Sequence, residues 1–196
     1  IDKSYFHRKS FDSMTATLGF LSVLHHADHG YFGGYLIVNR AARPLEFHCT
    51  MPVKPSRAQE LLYGPTVDDF VCGEQIAKAL TGKAKLKPDL VLTDSSAVLA
   101  MAMVSDLPVA QLEGIAAQTQ GERATCEHLR LPQSAAAALR RITAQEYRFA
   151  IPEDSPMDVT RMEELLSGLA SNFELSEPFY RVSEALLEAH PVAKAA

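Results

Sequence analysis

Residues 97–104 read Ala-Val-Leu-Ala-Met-Ala-Met-Val, and a helix of that composition presents no polar side chain at any angle. Such a helix must be covered on every side. Its flanks identify one cover. Pro88 leads into Asp89-Leu90-Val91-Leu92-Thr93, a short apolar strand closed by Asp94-Ser95-Ser96, and Leu107-Pro108-Val109-Ala110-Gln111-Leu112 follows the helix. Strand, cap, helix, turn and strand make a βαβ unit with parallel, buried strands, so one side of the helix lies on a sheet. The other side meets the C-terminal helices, a partner protein or a second copy of the chain. Val98, Leu99, Met101 and Met103 are the positions an interface would use, the two methionines being flexible and polarizable enough for an adaptable contact.

Upstream, residues 16–50 read as an antiparallel meander. Ala16 to Leu24 is mostly apolar, Ala27-Asp28-His29-Gly30 is turn-like, and Gly33-Gly34 leads into Tyr35-Leu36-Ile37-Val38. Asn39 to Pro44 then links to Leu45-Glu46-Phe47-His48-Cys49, whose alternation puts Glu46 and His48 on a wet face. Ser56-Arg57-Ala58-Gln59 has capping-box spacing and opens a short helix that Gly64-Pro65 ends, after which Thr66 caps the next. Plotting 67–81 at helical spacing puts Phe70, Cys72, Gly73, Ile76, Ala77, Ala79 and Leu80 on one face. Residues 113–133 are polar, Ser134 to Arg141 reads as helix on its alanines, and 113–155 buries little. Two helices close the chain, one from Ser155-Pro156 with Met162, Leu165, Leu166 and Leu169 as its stripe, one from Ser176-Glu177-Pro178 with Phe179, Val182 and Leu186. The expected architecture is α/β: a meander extended by the βαβ unit into one mixed sheet, with the C-terminal helices packed on it. It forms a single domain over 1–196, with a core at 14–112, a connector at 113–155 and a helical segment at 156–190.

The 196 residues carry 19 Lys+Arg against 24 Asp+Glu, a formal net charge of −5. That balance lacks the basic footprint of a nucleic-acid binder, so nucleic acid is not expected as a partner. Three cysteines, Cys49, Cys72 and Cys126, are an odd number spread along the chain, which points to a reducing, cytoplasmic setting rather than a disulfide framework. The longest apolar run, Leu18 to Leu24, contains Gly19 and Ser22 and is far short of a membrane span. Ile1-Asp2-Lys3-Ser4 lacks the basic start of a secretory signal.

The most site-like position is Asp94-Ser95-Ser96. In an open α/β sheet, ligands bind beyond the carboxyl ends of strands, where helix N-termini point their N–H groups. The same residues also suit simple capping. Lys54, Arg57 and the helix start at Ser56 form a candidate anion site, so a small-anion or nucleotide site would draw on Asp94, Ser95, Ser96, Lys54 and Arg57. His25-His26-Ala27-Asp28-His29 reads as a solvated hairpin tip, because neighbouring strand residues face opposite ways and do not converge on a metal. His48-Cys49 and Cys126-x-His128 match no zinc-finger spacing, and no metal site is assigned. There is no Gly-rich phosphate loop and no nucleophile elbow.

Three antiparallel strands, a helical region and a parallel strand ending Leu92-Thr93-Asp94-Ser95 resemble the ribonuclease-H-like order of elements over residues 16–112. That resemblance implies carboxylates on the first strand, the first helix and the fourth strand holding Mg²⁺ or Mn²⁺ for phosphodiester chemistry. The candidates here are Asp28, Glu60 and Asp94, although Asp28 falls in a turn and Glu60 on a helix of barely two turns. No motif decides whether the chain is an enzyme. The main expectation is therefore a non-catalytic interaction or regulatory module that self-associates or binds a protein, without cofactor. A metal-dependent phosphodiesterase is the alternative, and a small-anion module the third.

Overall fold

A computed structural model of the chain describes residues 16–114, 126–128 and 138–190. Among them, eight strands form one mixed sheet: β1 (Thr17–His26), β2 (Gly30–Asn39), β3 (Pro44–Cys49), β4 (Leu90–Thr93), β5 (Val109–Leu112), β6 (Cys126–His128), β7 (Leu139–Ala144) and β8 (Tyr147–Pro152). Their spatial order is β3-β2-β1-β4-β5-β8-β7, with β6 on β1. The meander is antiparallel, and β1–β4 and β4–β5 are parallel, as the apolar runs imply. The turn before β2 depends on Gly30, at φ +84°, where an added Cβ would lie 2.4 Å from the Val53 carbonyl.

β1 has two dry faces. Leu18, Phe20 and Leu24 meet α3 (Val159–Ser167) and α4 (Glu177–Ala189) through Met162, Leu165, Phe179, Val182 and Leu186. Leu21 and Val23 face Val71, Cys72, Ile76 and Leu80 on the opposite layer. Neighbouring glycines in β2 bring both layers close. A Cβ on Gly33 would lie 2.1 Å from Ile76 Cγ2, and one on Gly34 2.6 Å from Val182 Cγ1. This pair sits inside the strand rather than ahead of it.

The second layer winds unusually. After α1 (Arg57–Tyr63), capped by the expected Ser56–Gln59 box, Gly64–Thr66 makes a 3-10 turn. Thr66 does not cap a new helix, and its hydroxyl instead donates to the Tyr63 carbonyl at 2.9 Å. A π-helical stretch, Asp69–Ala77, then runs into α2 (Lys78–Lys83). Wider winding moves the buried stripe, so Val71 is buried and Ala79 exposed, unlike a plot drawn at α-helical spacing.

The all-apolar segment is a 3-10 helix, Ser96–Met103, lying between the sheet and the π-helical stretch. A Cβ on Gly73 would come within 2.6 Å of Ala100 Cβ and 2.8 Å of the Met101 backbone nitrogen. Cover is therefore intramolecular: Val98, Leu99 and Met101 are buried, and only Met103 of the four expected interface positions is exposed.

Two expectations fail downstream. Leu139–Arg141 belong to β7 rather than to an alanine helix, because pairing with β8 overrides local helix preference. The 113–155 stretch also buries Ile142, Ala144, Phe149, Ala150 and Ile151. The remainder of the alanine run, 134–137, lies outside the described residues. α3 and α4 bury their expected stripes except Leu169, which lies past the end of α3 and is half-buried, and Asp158, not Ser155, caps α3 by accepting from Arg161 N at 2.8 Å. No helix among the described residues is long and apolar enough to cross a membrane.

β3 reverses its expected faces. Leu45 and Phe47 are exposed, while Glu46 accepts from Lys85 N at 3.0 Å, Leu86 N at 3.0 Å and His48 Nε2 at 2.6 Å. These bonds, the backbone donor of Lys85 foremost, lower the Glu46 pKa to about 2. They pin the sheet edge to the connector ahead of β4.

Two predictions follow from this packing. Gly73→Ala should destabilise by about 1–3 kcal/mol because backbone atoms block the new methyl, whereas Gly82→Ala, with nothing within 4 Å, should gain about 0.5–1 kcal/mol of helix preference. Urea midpoints compare the two. Because Glu46 has a depressed folded pKa, its stabilisation is present above the ordinary carboxyl value of 4.5 and is lost as pH falls toward about 2. Acid titration of Glu46→Gln should lack that loss across the same window.

Candidate functional site

Asp94 closes β4 beside β1. β4 pairs with β1 from Leu18 to Leu21, and β6 takes over the same edge from Leu24 to His26. Ser22 and Val23 therefore border a notch where one neighbour of β1 ends and another begins, and Asp94 leaves β4 into it. Such a change of partner at the carboxyl end of parallel strands is where α/β sheets place ligands. The Ser22 hydroxyl donates to Asp94 Oδ2 at 2.7 Å. Ser22 is wholly buried, so this bond both satisfies a buried hydroxyl and orients the carboxylate.

The next two residues are built into the turn. Ser95 N donates to Thr93 Oγ1 at 3.1 Å. Ser95 occupies the N-cap position of the 3-10 helix without a side-chain capping bond, and its buried Oγ has no hydrogen-bond partner. Ser96 is buried as well.

The other candidate residues do not converge on Asp94. Asp28 is exposed at the hairpin tip beyond His26, itself about 13 Å past Ser22 at about 3.3 Å per residue. Lys54 Nζ donates to the Asp28 carbonyl at 3.4 Å. Arg57 pairs with Glu60 at 3.1 Å on the exposed side of α1. The acidic set Asp28, Glu60 and Asp94 is therefore dispersed, and so are the two halves of the small-anion site. No group of three or more His, Cys, Asp or Glu among the described residues could hold a metal ion. Among the described residues, the side chain that β1 brings to Asp94 is the neutral Ser22, where a three-carboxylate set would need an acid.

The histidine group is only partly a solvated tip. Ala27 and Asp28 are exposed, but His26 is buried, and its Nδ1 accepts from Asp28 N at 3.1 Å. His25 lies against Tyr31, with ring centroids 4.6 Å apart. The Tyr31 hydroxyl donates to Asp68, the residue ahead of the π-helical stretch. Burial first, then this carboxylate, pushes the Tyr31 hydroxyl pKa up. Burial likewise raises the Cys72 thiol, which makes it a poor nucleophile. Cys49 and Cys72 are free, and the side chain of Cys126 lies outside the described residues.

Sequence reading missed Ser22 and Asp68. Ser22 had a signal, a hydroxyl in the longest apolar run, but its partner depends on the parallel β1–β4 register. Asp68 lies outside the apolar face plotted for 67–81, and its meeting with Tyr31 joins residues 37 positions apart.

No family model matches the chain and no curated protein matches it. Among solved structures, it is similar to endonuclease V of Ciona intestinalis, a variant crystallised with DNA containing an inosine followed by a ribo-adenosine. The TM-score is 0.51 at 11% identity, over 90% of this chain and 86% of that one. At that identity the likeness is one of fold.

It corrects two expectations. The non-catalytic, self-associating module rested on missing motifs and an uncovered helix. The helix is covered from within, and the chain has the fold of a nuclease over most of its length. Nucleic acid was set aside on a net charge of −5, yet a summed charge does not describe a local surface, and the fold is one that a DNA-bound protein uses. Ser22→Ala should destabilise by about 1.5–3 kcal/mol, the range for a hydrogen bond to a charged group, read by urea unfolding.

Proposed function

We propose that this chain acts on phosphodiester bonds of nucleic acid at the notch between β4 and β6. The observation that carries this reading is Asp94 at the carboxyl end of β4 beside β1, in a fold shared with a DNA-bound endonuclease. In this reading Asp94, oriented by the Ser22 hydroxyl at Oδ2, takes a proton from an attacking water. Ser22, fully buried, serves as a positioning residue. The spread of Asp28, Glu60 and Asp94 argues against the three-acid metal arrangement. A cytoplasmic setting, where thiols stay reduced, suits the free Cys49 and Cys72.

The test incubates the purified chain with single- and double-stranded DNA and RNA, with Mg²⁺ or Mn²⁺ and with chelator, and resolves the products. Cleavage that Asp94→Asn lowers by about 10²–10⁴-fold supports the reading. Absence of cleavage in every arm, or cleavage that Asp94→Asn leaves unchanged, overturns it.

A further inference from the structure

At the other end of β1 the chain carries a guanidinium that no acid among the described residues takes up. Asn39 to Arg43 forms a tight turn after β2: Asn39 Oδ1 accepts from Ala41 N at 3.0 Å and Arg43 N at 3.1 Å, with Ala42 at φ 58°. The C-terminal helices clamp this turn. Ala170 N donates to the Arg40 carbonyl at 2.9 Å, and Arg181 Nη1 donates to the Ala42 carbonyl at 3.0 Å.

The Arg40 guanidinium lies against the Cα of Gly168. A Cβ there would fall 1.7 Å from Nη2 and 2.6 Å from Nε, so the absence of a side chain at 168 makes its bed. Arg40 Nε is buried without a hydrogen-bond partner, and no ion pair among the described residues reaches Arg40. Arg181 Nε is also buried without a hydrogen-bond partner, while its Nη2 pairs with Glu177 at 2.8 Å. Exposed Arg43 adds a further positive charge at the same turn. Desolvating part of a cation without a counter-charge costs free energy that a bound anion would offset. A planar guanidinium fits phosphate oxygens in particular.

We infer that Arg40, with Arg43 and Arg181, forms a phosphate site at the Asn39–Arg43 turn, and that its ligand is a backbone phosphate of nucleic acid. The choice of nucleic acid rests on the function proposed above. Asn39 pairs with Thr17, and Thr17 to Ser22 along β1 spans about 17 Å at about 3.3 Å per residue. The two places are therefore separate, and each is tested by its own variant.

Two measurements on the whole chain test this. In the first, inorganic phosphate should raise the melting temperature of the wild type above chloride at equal ionic strength. Arg40→Gln should lose that rise, and so should Gly168→Ala, which keeps every charge but fills the bed. No rise in the wild type, or an equal rise in Arg40→Gln, overturns the site. In the second, the log–log salt dependence of oligonucleotide binding should flatten by about 0.7–0.9 in Arg40→Gln, the contribution of one phosphate contact. A phosphate effect lost on mutation with an unchanged salt slope overturns nucleic acid as the ligand. A wild type that binds no oligonucleotide overturns the proposed function, while the phosphate arm still decides the site.

Discussion

Burial of β1 on both faces and both edges is the constraint on which the rest of this molecule depends. Its edges are taken by β2 on one side and by β4 and β6 on the other, and its faces by α3 and α4 and by the π-helical layer. A strand so enclosed admits a polar side chain only with a partner in place. Ser22 meets that condition through Asp94, which ties the carboxylate to the centre of the sheet. The glycines at 33 and 34 serve the same enclosure, each removing the atom that would hold one layer away.

What could be read from the sequence was whatever local chemistry decides. The hairpin turns, the Ser56–Gln59 capping box and the stripes of α3 and α4 depend on residues a few positions apart, and all are found. The π-helical winding of 69–77 was not readable, because plotting apolar residues at α-helical spacing presumes the geometry it sets out to find. Nor was β7, where alanine-rich sequence favours helix but Ile142 and Phe149 pair across strands. Asp94 was legible as a strand-end acid. Its neighbour Ser22 was not, since that meeting comes from a register joining residues 72 positions apart.

The comparison with a nuclease and the chemistry of the notch bear on different questions. Sheet order and connectivity determine where a substrate could lie; side chains determine what happens to it. Here β4 brings Asp94 to the notch, held by the Ser22 hydroxyl. A net charge of −5 coexists with a turn where Arg40 has no acid partner among the described residues, so the distribution of charge says more about phosphate than its sum.

The parallel pairing of β1 with β4 also sets an order in time. β1 and β2 are joined by a short turn and can find each other locally, but Leu18 cannot meet Leu90 until the intervening chain has closed a long loop. The Ser22–Asp94 bond belongs to that later event. A chain emerging from the ribosome thus carries its hairpin before it carries the notch, and whatever chemistry resides there is withheld until the middle of the sheet is complete.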